Sequence, residues 1–248
     1  MKTLCLSMLL CSIISCFVYG QDSLKVIGGR FTTELNINPF QGELSLNNAL
    51  NQIKVRYFLS DNTALRIGLS LSARKSTIEN STVYGTNPSN QENEKKTSTV
   101  GLNFGFEKHF KGTKRLSPYL SAELVVASKS SSHTVKTKSQ TNTPNVTETK
   151  IKGAWQTTIF NNNGYPLYGY EERAFFQYGM NLVGGFDFYV ARNFYVGYEI
   201  AFALLKTKYK NIDITTKPAS TNPSPDSTQK DFSIGPNLIN GIRVGFAF

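Results

Sequence analysis

The chain has 248 residues, 40% of them apolar, a mean hydropathy of -0.27 and a formal net charge of +10. That length fits one large or two small domains. No stretch of about 20 apolar residues follows the N-terminus, which excludes a helical membrane protein. Strands are not excluded, because alternating apolar and polar positions cancel in any hydropathy window.

Lys2 precedes an apolar run from Leu4 to Val18, and small Gly20 stands before Gln21. This is the layout of a secretory signal, so residues 1–20 are expected to be removed and residues 21–248 to form a single domain. "IISC" at 13–16 also resembles a loose lipobox, in which Cys16 would be the lipidated first residue. Cys5, Cys11 and Cys16 are all the cysteines and all precede Gln21. Cleavage therefore leaves no disulfide, no thiolate metal site and no cysteine nucleophile.

Beyond the signal, period-2 alternation recurs. The first segment, 30–37, puts Phe31, Thr33, Leu35 and Ile37 on one face, and the second, 52–59, does the same with Ile53, Val55, Tyr57 and Leu59. After "SDNT" come Leu65, Ile67, Leu69, Leu71 and Ala73, then Val100, Leu102, Phe104 and Phe106, then Leu120, Ala122, Leu124 and Val126. Residues 176–190 carry Phe176, Tyr178, Met180, Leu182, Phe186, Phe188 and Val190, and after "ARN" the pattern resumes from Phe194 to Leu204. A last strand from about 238 holds Ile242, Val244, Phe246 and Phe248. These are eight predicted strands, long enough to cross a bilayer at a tilt. Their connections alternate between short turns (60–63, 108–115, 191–193) and longer polar segments, notably 79–96, 129–173 and 211–231. Such sorting suits a barrel with short periplasmic turns and long external loops.

Within these strands the charged residues are Arg30, Glu34, Lys54, Arg56, Arg66, Glu107, Glu123, Asp187, Glu199 and Arg243, all on the face opposite the apolar set. Five are basic and five acidic. Charges taken from water must be paired, and an eight-stranded lumen is filled by side chains. The balance predicts a closed, salt-bridged interior.

The export signal, the eight alternating strands and the terminal "GFAF" together resemble the small outer-membrane β-barrel family of the OmpX and OmpA-barrel type. The resemblance implies an all-β fold, an eight-stranded antiparallel transmembrane β-barrel in the outer membrane of a Gram-negative bacterium. It also implies that Val244, Phe246 and Phe248 form the signal read by the outer-membrane assembly machinery. No periplasmic peptidoglycan-binding domain is expected.

Function then lies in the lumen, on the outer surface or in the loops. Lys206, Lys208 and Lys210 continue the apolar face beyond Leu204, as Lys75 does beyond Ala73, and are expected to contact lipopolysaccharide phosphates. In the 129–173 loop the polar first half reads as mobile, whereas Trp155, Phe160, Tyr165, Tyr168 and Tyr170 gather aromatics at a tip suited to binding an extracellular partner. The alternatives are a small porin-like channel and a lipid A-modifying enzyme. For the enzyme only His109, expected in a periplasmic turn, and His133 are available, neither with a convincing local carboxylate. Two histidines this far apart make a poor metal site, so neither metal nor cofactor is expected. Nucleic-acid binding is not expected of an exported chain without a basic helix, despite its net charge.

Overall fold

Alternation along the chain becomes strand pairing in a computed structural model that describes residues 24–37, 50–82, 88–139, 145–160, 164, 166–218, 228–237 and 242–248. The expected signal and all three cysteines lie outside the described residues. The strands are β1 (Phe31–Ile37), β2 (Leu50–Ser60), β3 (Thr63–Thr82), β4 (Ser89–His109), β5 (Leu116–Ser139), β6 (Val146–Lys152), β7 (Trp155–Phe160), β8 (Pro166–Glu171), β9 (Phe175–Ala191), β10 (Phe194–Tyr209), β11 (Asp213–Lys217), β12 (Lys230–Asn237) and β13 (Ile242–Ala247). All described pairings are antiparallel.

Eight of them close a ring in the order β1-β2-β3-β4-β5-β9-β10-β13 and back to β1. The closing register runs from Thr32 opposite Ala247 to Ile37 opposite Ile242. The final strand is expected from about 238; β10 pairs with β13 along Phe194–Tyr198 and with β12, which precedes that position, along Ala201–Lys208. Residues 238–241 lie outside the described residues.

At one end the connections are tight. Asp61-Asn62 join β2 to β3, and Arg192-Asn193 join β9 to β10 with Asn193 at φ 70°, a left-handed conformation that asparagine tolerates. At the other end the strands run on. β3 and β4 stay paired to Thr82 opposite Ser89, β4 and β5 to Ser89 opposite Ser139, and β6 and β11 add two further strands beside β5. Most of the segments expected as loops at 79–96 and 129–152 is therefore sheet, and the polar first half of 129–173, read as mobile, contributes the end of β5 and all of β6. The 211–231 segment likewise contains β11 and the start of β12. Once a neighbouring strand offers its backbone groups, polar Ser, Thr and Lys residues extend a ladder that composition alone reads as loop.

The apolar faces point outward. Ile67, Leu102 and Ile200 are 53%, 53% and 52% exposed, and Phe31, Leu124, Leu182, Ile242 and Phe246 share their side of the ring. Along β10 the outward apolar series runs from Phe194 to Leu204, eleven residues or ten steps along the strand. At about 3.3 Å per residue and a tilt of about 40°, this spans roughly 25 Å, the height of an outer-membrane apolar band. The inside is polar and charged, with an apolar cluster of Val26, Phe58, Ala64, Tyr189, Tyr195 and Ala247 at the short-turn end.

Large inward side chains need gaps at the facing position of the neighbouring strand: Gly245 is paired with Tyr195, and Gly185 with Tyr119. A Cβ on Gly245 would lie 2.1 Å from the Tyr195 ring, and one on Gly185 would lie 2.6 Å from the Tyr119 hydroxyl. Both rings are buried and have nowhere to turn. Gly245→Val is expected to lower stability by about 1–3 kcal/mol through overpacking, read by urea unfolding of the folded barrel in vesicles.

Candidate functional site

Because the strands alternate, the charges predicted to share the inner face converge in the closed part of the ring. Arg56 sits between three carboxylates: its Nε is 2.7 Å from Glu34, and its Nη1 is 2.6 Å from Glu107 and 2.8 Å from Asp187. Arg66 reaches Glu107 at 2.8 Å, Glu123 at 2.6 Å and Glu199 at 2.6 Å. Arg243 pairs with Glu34, with Asp187 at 2.7 Å and with Glu199 at 3.3 Å. Lys54 donates to Glu199 at 2.7 Å. All nine side chains are buried.

Arg30 does not join them. It lies at the short-turn rim and donates from Nη1 to Asn193 Oδ1 at 3.1 Å. The first strand of the barrel wall starts at Phe31, so a residue one position earlier falls short of the lumen.

Two inner groups not foreseen complete the network. Tyr119 donates its hydroxyl to Glu199 at 2.5 Å, and the guanidinium carbons of Arg56, Arg66 and Arg243 lie 5.8, 5.9 and 5.3 Å from its ring centre. His109, expected in a turn, ends β4 and is buried, with Nε2 2.6 Å from Glu107 Oε1 and Nδ1 2.8 Å from Ser117 Oγ. Its carboxylate partner is local after all: residues two apart on a strand share a face. The same rule places Tyr119 in line with Ser121 and Glu123.

Glu107, His109 and Asp187 bring potential metal-ligand atoms within 4.8 Å of one another. The place of a cation among them is taken by Arg56, whose Nη1 already bridges Glu107 and Asp187. Ser117, His109 and Glu107 form a hydrogen-bonded chain, but Ser117 is buried and Glu107 is held by two arginines. These bonds tie the end of β4 to the start of β5.

At the external end, Trp155 corrects its expected role. It is only 7% exposed, donates its indole N–H to the Lys96 carbonyl at 3.0 Å, and lies under the Arg74 guanidinium at 4.8 Å and the Lys95 ammonium at 5.5 Å. Arg74 and Lys95 are on the inward-continuing face of β3 and β4, so the indole lies on the inner side of the sheet. Tyr170 packs on the buried cluster of Ile151, Ala154 and Ile212. Of the aromatic tip, Tyr168 is exposed together with Leu167. Phe160 pairs with Pro166 in the β7–β8 ladder, and Tyr165 lies outside the described residues.

His133 accepts the Gln156 backbone N–H on Nδ1 at 3.1 Å and pairs through Nε2 with Asn93 Oδ1 at 2.7 Å. Burial, with Lys95 nearby, lowers its pKa. Both ring nitrogens are thus committed to structure. Glu172 pairs with Lys129 and, at 3.3 Å, with Arg74, and the Lys129 hydrogen bond holds its carboxyl below the ordinary range. Lys206, Lys208 and Lys210 are exposed on the outward face. Lys75 is exposed too, but it is tied to Glu94 at 2.7 Å, and Lys96 holds the same carboxylate at 2.5 Å. The two lysine hydrogen bonds bring the Glu94 pKa down to about 2.

Removing one partner from the buried network leaves charges uncompensated. Arg243→Met is expected to cost about 3–5 kcal/mol in urea unfolding. Arg30→Met at the rim is expected to stay within about 0.5 kcal/mol.

Comparison with known proteins places this geometry in a family. The model of the family described as "Putative OmpA-OmpF-like porin family" matches residues 38–248. Among solved structures, the N-terminal β-barrel domain of Pseudomonas aeruginosa OprF is similar at 13% identity and a TM-score of 0.37, covering 90% of this chain and 100% of that one. No curated protein matches the sequence. No described helix is long and apolar enough to cross a membrane. With a family match over most of its length, an outward apolar band and a closed antiparallel ring, the chain belongs to the OmpA-OmpF-like porin family of outer-membrane β-barrels.

Proposed function

We propose that the protein is a structural and surface-interaction barrel of a Gram-negative outer membrane, with a lumen closed to solutes and recognition carried outside the membrane. One observation carries this reading: nine buried charged side chains, drawn from all eight strands of the ring, pair with one another across the lumen, with three arginines and the Tyr119 ring at their centre. Ions or solutes crossing an eight-stranded bore would have to part these pairs, each of which stands in for lost hydration.

The recognition surface in this reading is the external sheet and the β7–β8 hairpin, where Leu167 and Tyr168 face solvent. Trp155 and Tyr170 serve the hairpin's foundation instead. The family is one of porins rather than enzymes, and the commitments of His109 and His133 give a lipid-modifying activity no free base. A porin-like channel remains the second reading, favoured by the family description itself.

Val244, Phe246 and Phe248 are proposed as the signal for the outer-membrane assembly machinery, supported by the outward exposure of Phe246 and Phe248 on the closing strand. Phe248→Ala is expected to reduce the folded barrel recovered from membranes in cells while leaving unassisted refolding into vesicles unchanged. Equal recovery in cells would remove the proposal.

Ion conductance in planar bilayers separates the two main readings. Residues 21–248, refolded and inserted, are expected to give no discrete steps. Stable unitary steps from the folded protein would make transport the function. Deleting 150–172 is expected to abolish binding to the extracellular partner while the barrel still folds.

A further inference from the structure

Two pairs of lysines face each other across neighbouring strands on the outward side. Lys75 on β3 is opposite Lys96 on β4, and Lys208 on β10 is opposite Lys230 on β12. Like charges directly opposite in a sheet repel. The first pair carries its own remedy in Glu94, which bridges both ammonium groups at 2.7 and 2.5 Å. Among the described residues, no carboxylate forms an ion pair with Lys208, Lys230, Lys206 or Lys210. Asp231, next in sequence, turns to the other face, where Gln229 and Tyr209 bond its carboxylate.

The uncompensated group also has a definite height. Lys206, Lys208 and Lys210 follow Leu204, where the roughly 25 Å apolar band along β10 ends. Aromatic and apolar side chains surround them at that level. Lys206 is opposite Tyr178 on one side and Phe232 on the other, Lys208 is opposite Phe176, and the Lys208 ammonium lies 5.8 Å from the Tyr178 ring centre. Phe232 is 66% exposed. Apolar rings beside ammonium groups suit a boundary where acyl chains meet charged heads, since the lysine stems lie on the apolar surface and their tips reach the phosphates.

We infer that Lys206, Lys208, Lys210 and Lys230 form a binding site for the phosphorylated headgroup of an outer-leaflet glycolipid, lipopolysaccharide being the lipid of that chemistry. A phosphate between Lys208 and Lys230 plays the part that Glu94 plays between Lys75 and Lys96. Phe232 and Tyr178 pack against the acyl chains below it. Lys210 donates to Ser128 Oγ at 3.3 Å, which draws that side chain across Phe176 toward β5 and extends the cationic edge along the barrel. Lys75, expected to act with the strand-β10 lysines, belongs to the compensated pair and not to this site. The inference rests on the barrel lying in the outer membrane and is independent of whether its lumen conducts, which the bilayer recording reads separately.

The test titrates bisphosphorylated lipid A into the folded protein in zwitterionic detergent and counts bound lipid by native mass spectrometry. The K206Q/K208Q/K210Q/K230Q variant is expected to bind at least tenfold more weakly than the unaltered chain, and K75Q/K96Q to bind as the unaltered chain does. Dephosphorylated lipid A is expected to bind no better to the unaltered chain than to the quadruple variant. All four positions are exposed, and circular dichroism and heat-dependent gel migration check folding. K208Q/K230Q alone, which relieves the facing charges, provides a second variant and is expected to lose most of the affinity. Equal binding by the unaltered chain and either β10–β12 variant would overturn the site. So would full displacement of the lipid by inorganic phosphate at the same phosphorus concentration, which would mark a free-anion site.

Discussion

The cost of taking four cations and five carboxylates out of water governs the interior of this barrel. Such ions are tolerable only when their partners are fixed in place, and the ring supplies that fixity. Glu34, Lys54 and Arg56 come from β1 and β2, Arg66 and Glu107 from β3 and β4, Glu123 from β5, and Asp187, Glu199 and Arg243 from β9, β10 and β13. Each guanidinium fork spans carboxylates from different strands, so the pairs tie non-neighbouring walls together across the lumen. Glycines on the inner face make room: Gly197 is in close approach to Arg243 and Asp187, and Gly105 to Arg66 and Glu123. Small wall positions and large charged ones are two parts of one packing solution.

Outside the apolar band the physics changes. Ion pairs there, such as Lys136 with Glu92 at 3.6 Å, are half-exposed and contribute little by themselves. What holds the external sheet is backbone pairing, continued along β4 from Ser89 to Lys108 against β3 and from Ser89 to His109 against β5. The buried cluster of Ile151, Ala154 and Ile212 then fastens β6 and β11 onto this extension, and Trp155 is pinned beneath Arg74. An extended sheet of this kind presents a firm platform, with the β7–β8 hairpin rooted in it.

Period 2 made both faces of the wall legible, because each residue of a barrel strand meets either lipid or lumen. Nine of the ten charges assigned to the lumen meet there, since alternation continues unbroken through each strand. What alternation could not supply was depth. Arg30 shares the parity of the others but lies a residue before the wall begins, and His109 has the right parity at a strand end that looked like a turn. Polar strands beyond the membrane were misread because their residues carry no apolar face, although Glu92, Glu94 and Lys96 alternate with Asn93, Lys95 and Thr97 across the sheet. Trp155 was misassigned for a different reason: aromatic content identifies a surface or a core equally well, and only tertiary contact with Lys96 and Arg74 decides between them.

The charged plug occupies only part of the lumen. Beyond it, toward the external end, inward positions carry small groups: Ser70, Gly101, Gly179, Ala201, Ala203 and Gly235. Here β10 pairs with β12 instead of β13, and the arginines no longer reach across. In the proposed closed barrel, resistance to passage would lie at the level of Arg56, Arg66 and Arg243, while Trp155 packs apart from them against Arg74 and Lys95. Among the described residues no ion pair of the buried network involves the β7–β8 hairpin, so under the proposed function the hairpin could bind a partner without disturbing those pairs.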